Sequence, residues 1–251
     1  MSALSSICEY RSDSEDSDCE LDTNRFKRVR LPPPNLSKVP VVPLSEHKDD
    51  PELHFGRMRS FPHVRGNWAT FVFVQYLNVS SIHDLLDKLE EKVVLKTGSC
   101  HRCDNFHISL SKTVVLKYHL ISAFSASLQE QLKSIESFEL GFVGLKVYCN
   151  EENSRTFISL TLDPFTEKYL LAITRKVDQV LEDFKLPTFY EDPSLHMSVL
   201  WVHGNKKSEL NSIIESMYDT FIEESVKSLK TILVESIHCK VGNKLFQYLL
   251  S

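Results

Sequence analysis

From Trp68 onward the hydrophobic positions of this chain switch repeatedly between a period of two and a helical period. Ala69, Phe71 and Phe73, with the β-formers around them, read as a strand; Ile82, Leu85, Leu86, Leu89 and Val93 then recur at helical spacing. Residues 106–115 alternate and are β-rich, while 120–135 is helical in composition, with Ala123, Leu128, Leu132 and Ile135 available for a buried stripe. Strands over 142–148 and 156–162 flank a polar stretch, 149–154, that suits a hairpin or short loop. A helix is predicted after Asp163-Pro164, because proline is tolerated in a first helical turn, and it exits at Pro187. The remainder repeats the theme with a strand over 195–202, a helix over 208–221, and closing strands over 232–239 and 245–249 around Gly242-Asn243. The whole predicts an α+β protein in which strands and helices interleave twice.

The first fifty residues lack such a pattern. Residues 12–22 are a serine and acid run, 25–30 are basic, and 31–35 contain three consecutive prolines. This composition cannot bury enough apolar surface to offset chain entropy, which predicts a disordered tail over 1–50 and one globular unit over 51–251. The basic cluster at residues 27–30 fits a nuclear import signal. Apolar runs are far shorter than the roughly 20 residues that span a bilayer, so no membrane role is expected. The six cysteines are scattered, without a leading secretory signal, which predicts a reduced, intracellular chain. Net charge is -5, and the tail holds ten acids against seven bases, leaving 24 against 22 elsewhere. A protein that grips nucleic acid mainly by charge would carry a basic excess, so any such contact here is local.

The candidate chemistry lies in two matching tetrapeptides, His107-Ile108-Ser109-Leu110 and His196-Met197-Ser198-Val199. On a strand the histidine and serine of each share one face, while the intervening apolar residues anchor the other. Among ten histidines only these two have Ser or Thr two positions later, which points to a duplicated functional element, one copy in each half of the fold, on strands that could face each other across a cleft. Two opposed imidazoles suit in-line displacement at an RNA phosphate, one taking the 2′-hydroxyl proton as the other gives one to the departing 5′-oxygen. An unperturbed pKa of about 6.5 lets both protonation states coexist near neutrality. Ser109 and Ser198 would then hydrogen-bond the non-bridging oxygens, and the scheme needs no metal or cofactor. Either histidine alone would read as a residue on a half-buried strand; the matched pair favours the catalytic reading.

Both motifs resemble the signature of the 2H phosphoesterase superfamily. Longer segments sharpen the likeness: residues 56–63 (GRMRSFPH), 66–70 (GNWAT), 155–157 (RTF), 188–194 (TFYEDPS) and 239–244 (CKVGNK) together resemble the U6 small nuclear RNA phosphodiesterase family over nearly all of 56–251. The resemblance implies a bilobal fold of two pseudo-symmetric antiparallel-sheet lobes, flanked by helices, with a central groove. It implies a nuclear, metal-independent 3′-to-5′ exoribonuclease that trims the oligouridine tail of U6 RNA and leaves a 2′,3′-cyclic phosphate or a 3′-phosphate. The implied partner is the single-stranded 3′ end of U6 RNA, not DNA, and a monomer is expected. By position it makes His107 and His196 the catalytic pair, Ser109 and Ser198 phosphate ligands, Tyr190 a stacking platform for a terminal base, and Ser194 a lining residue of the groove. Stacking of a base on an aromatic ring contributes about 1 to 3 kcal/mol, which gives Tyr190 a physical case of its own. Asn150 and Glu151 fall where the family contacts a uridine, although an acid stands at 151 where an amide is expected.

Other readings are weaker. Cys100-His101-Arg102-Cys103 could suggest zinc, yet a tetrahedral structural site needs four ligands and there is no second paired cluster. A thioredoxin-like role would need a helix starting at the first cysteine, whereas a strand is predicted to follow. His119, His203 and His238 read as packing or solvent-contact residues. A cyclic-nucleotide phosphodiesterase of the same superfamily and a non-catalytic RNA-binding module are the alternatives to an exonuclease; retention of both His and both Ser argues against the module.

Overall fold

Residues 64–225 and 231–251 are described by this computed structural model. The tail over 1–50, the basic cluster at 27–30 and the segment 56–63 lie outside the described residues. The elements run β1 (Asn67–Gln75), α1 (His83–Thr97), β2 (His101–Arg102), β3 (His107–Ser109), β4 (Val114–Lys117), α2 (Ile121–Leu132), β5 (Phe138–Cys149), β6 (Arg155–Leu162) and α3 (Pro164–Asp183). They continue with β7 (His196–His203), α4 (Lys207–Asn211), α5 (Ile214–Ser225), β8 (Thr231–Val234), β9 (Ser236–Val241) and β10 (Lys244–Leu249).

Among the described residues every strand pairing is antiparallel, in the order β10-β9-β1-β3-β7-β6-β5-β8, with β4 also on β1 and β2 also on β7. Glu235 alone separates β8, paired with β5 at one end of this order, from β9, paired with β1 in the other half. Consecutive Cα atoms are only about 3.8 Å apart, so the two ends must approach each other and the sheet curls. The two halves meet at the seam between β3 and β7, aligned through the single pair Ile108 and Met197. The motif strands therefore lie side by side in one sheet, rather than facing each other across a cleft. Ile108 and Met197 are both fully buried and join Val72, Leu89, Phe124, Leu128, Val177 and Phe221 in one core beneath the helices. Among the described residues no helix is long and apolar enough to cross a membrane.

Local signals account for most boundaries. The Asp163 side chain accepts a hydrogen bond from Phe165 N at 3.0 Å and Pro164 follows it, so α3 starts where the sequence predicts. α1 ends at Gly98 in the left-handed conformation. Gly242, at φ 58°, opens the turn between β9 and β10; a Cβ there would lie 2.4 Å from the Trp68 ring, so only glycine fits.

Three predicted elements are each divided in two. The strand over 106–115 is β3 and β4, which pair with successive parts of β1 on either side of an irregular stretch. Ser111 staples that stretch, its buried Oγ accepting from Val72 N at 2.9 Å. The helix over 208–221 breaks at Ser212 and Ile213 into α4 and α5, with the Ser212 hydroxyl donating to Glu209 O at 2.6 Å. The strand over 232–239 changes partners at Glu235 and becomes β8 and β9. The short strand β2 has no counterpart in the sequence reading.

Candidate active site

The register at Ile108 and Met197, extended one residue each way, sets His107 beside Ser198 and Ser109 beside His196. Both motifs thus project from one face of the sheet as a quadrilateral with approximate two-fold symmetry. The opposite face of the seam is packed on the core.

The two imidazoles are held alike. Nδ1 of His107 donates to Asn105 O at 2.8 Å, and Nδ1 of His196 donates to Ser194 O at 2.7 Å. With Nδ1 donating, the neutral ring carries its lone pair on Nε2, so each histidine can exchange a proton through that atom. Burial foremost pushes the His196 pKa below its ordinary value; the bond to Ser194 opposes this, while the charges of Lys146 and His107 add to it. The His196 ring stacks on Tyr148 at 3.9 Å, and His107 lies edge-on to Phe73 at 5.5 Å.

Around this pair the two halves of the sheet differ. On the β7 side, Ser198 shares a hydrogen bond with Ser159 at 2.9 Å, Ser159 pairs across β6 with Lys146 of β5, and Tyr148 shares one with the Ser194 hydroxyl at 2.7 Å. On the β3 side, Ser109 pairs with Phe73 of β1, and Phe73 with His238 of β9. His238 is buried against Phe73 with Nδ1 lacking a hydrogen-bond partner, which makes it a packing residue rather than a solvent-contact one. One flank of the groove is hydroxyl-rich and cationic, the other aromatic.

Tyr190 is 47% exposed, and its hydroxyl donates to Glu151 Oε1 at 3.3 Å while Lys112 Nζ lies 4.1 Å from its ring centroid. Glu151 and Tyr190 are thereby brought together. The Asn150 amide is committed to its own hairpin: Nδ2 donates to Glu152 and Ser154 at 2.8 Å each, and Oδ1 accepts from Arg155 N at 2.9 Å. Sequence reasoning passed over Asn105, Lys112, Lys146, Tyr148 and Ser159. The first precedes His107 by the two positions that separate Ser194 from His196, a symmetry that could have marked it; the others reach the site through strand register and loop packing.

Burial pushes the thiols of Cys100 and Cys103 up to about 12, against a reactive thiolate at either. Among the described residues one group, His83, Asp84 and Asp87, has the spacing to hold a metal ion; it is exposed at the start of α1, and Arg102 already engages Asp87.

Residues 30–248 match the family HVSL, described as an uncharacterised conserved protein. The chain is 36% identical over 252 residues to U6 snRNA phosphodiesterase 1 of Drosophila melanogaster, covering 95% of each chain. It is 37% identical over 225 residues to U6 snRNA phosphodiesterase 1 of Homo sapiens, covering 87% of this chain and 83% of that one. A solved structure of Kluyveromyces marxianus Usb1 with uridine monophosphate superposes with a TM-score of 0.56 at 14% identity, over 72% of this chain and 98% of that one.

Proposed function

This chain belongs to the U6 small nuclear RNA phosphodiesterase family, and from that premise we propose that it processes the 3′ end of U6 RNA as a 3′-to-5′ exoribonuclease that removes terminal uridines. The observation that carries the reading is the matched pair of Nδ1-to-carbonyl bonds, which aims two imidazoles alike from one seam.

The terminal nucleoside lies against Tyr190, and the scissile phosphate sits over the seam with Ser109 and Ser198 on its non-bridging oxygens. One imidazole takes the proton of the penultimate 2′-hydroxyl, whose oxygen bonds to phosphorus as the bond to the terminal 5′-oxygen breaks. The second imidazole gives its proton to that leaving oxygen. The nucleoside departs with a 5′-hydroxyl, and the shortened RNA ends in a 2′,3′-cyclic phosphate; with the roles of the imidazoles exchanged, water opens this to a 3′-phosphate. Lys146 places positive charge on the flank of the groove, where it offsets the negative charge of the phosphate. No step uses a metal, and the enzyme acts as a monomer in the nucleus.

His107→Ala and His196→Ala should each lower kcat on an oligouridine-tailed RNA by about 10² to 10⁴. Circular dichroism melting and RNA binding should stay near wild type, since neither ring is a core residue. Wild-type turnover by either variant would remove the two-histidine mechanism.

A further inference from the structure

Past the seam, the same face carries a cluster that the proposed chemistry does not use. Regular alternation from His196 and Ser198 would turn Trp201 and His203 toward the helix side. Instead the register shifts between Ile158 and Ser159: Ser159 pairs with Ser198 but Ile158 with Leu200, leaving Val199 as a bulge. Trp201 and His203 then stand opposite Phe157 and Arg155, on the face of the two motifs, and His101 of β2 stands opposite Trp201. Neighbouring Arg102 turns the other way, to Asp87 and Glu90 of α1.

The groups gather closely. His101 stacks on the Trp201 ring at 4.4 Å, the Arg155 guanidinium lies 4.1 Å from that ring, and His203 is edge-on to His101 at 5.2 Å and to Trp201 at 4.8 Å. The indole is only 8% exposed beneath them, and His203 is exposed. A packing role would require only the indole. Two imidazoles and a guanidinium arrayed over it present planar aromatic and cationic surfaces, the combination that holds single-stranded nucleic acid.

Five residues of extended chain, less the bulge, set the Trp201 backbone about 15 Å along β7 from that of His196, so a longer RNA reaches the cluster more readily than a dinucleotide held at the seam.

We propose that His101, Arg155 and His203, on their Trp201 base, form a subsite beside the seam for single-stranded RNA, so that longer tails bind more tightly than short ones. The proposal rests on the phosphodiesterase reading. Its test is steady-state cleavage of the dinucleotide UpU and of 5′-labelled octauridylate by the full chain, by His203→Ala and by Arg155→Gln, with octauridylate binding followed in parallel by fluorescence anisotropy. Wild type should show the lower KM for the octamer; in the variants octamer KM and dissociation constant should rise about five- to tenfold, with UpU cleavage unchanged. Equal changes on both substrates, or none in octamer binding, would overturn the subsite. Failure of wild type to cleave either RNA would instead overturn the phosphodiesterase reading, and the anisotropy data would still decide the subsite.

Discussion

Nδ1 of His107 and of His196 faces a carbonyl two residues back, and around these shared bonds the two rings meet different surroundings. His196 lies nearer Lys146, whose charge helps depress its pKa. Replacing Lys146 with methionine removes that repulsion, so the His196 pKa rises toward its ordinary value. The limb of the kcat/KM profile governed by His196 should then move to higher pH: the acid limb if His196 is the base, the alkaline limb if it is the acid. Neither limb moving would remove Lys146 from the site. The His-x-Ser pairs were legible because strand period fixes which residues share a face. Ser159 and Tyr148 were not, because they come from β6 and β5, and the register of β6 on β7 is set by a bulge that the local sequence does not announce.

Elements were legible where the sequence reading found a local signal at their boundary, as at Asp163-Pro164 and Gly242-Asn243. They were misread where the break depends on distant partners. Alternation continues through 106–115, yet β1 offers one stretch of its edge to β3 and another to β4, and the chain between them must detour. That detour is held by Ser111 on the buried Val72 N–H. Ser111→Ala leaves this donor unpaired, which should cost about 1 to 3 kcal/mol in urea unfolding. Unchanged stability would mean that another group takes the bond. Likewise nothing near Glu235 reveals that β8 and β9 belong to different halves of the sheet.

Over the whole molecule, a curled antiparallel sheet brings two copies of one short motif to a common seam, and helices cover its other side. The α+β order and the internal duplication were readable from periodicity; the side-by-side placement of the motif strands was not, since pairing between segments 89 positions apart leaves no local trace. A net charge of -5 fits the proposal that RNA is held locally, by stacked rings and a few cations, and not by a broad basic surface. The central claim is that two histidines suffice for the chemistry. It is tested most directly by incubating a 5′-labelled, oligouridine-tailed RNA with the full chain in EDTA and resolving products and end groups on a gel. The account predicts a descending ladder whose products end in a 2′,3′-cyclic phosphate or a 3′-phosphate; RNA that stays intact until a divalent metal is restored would contradict it.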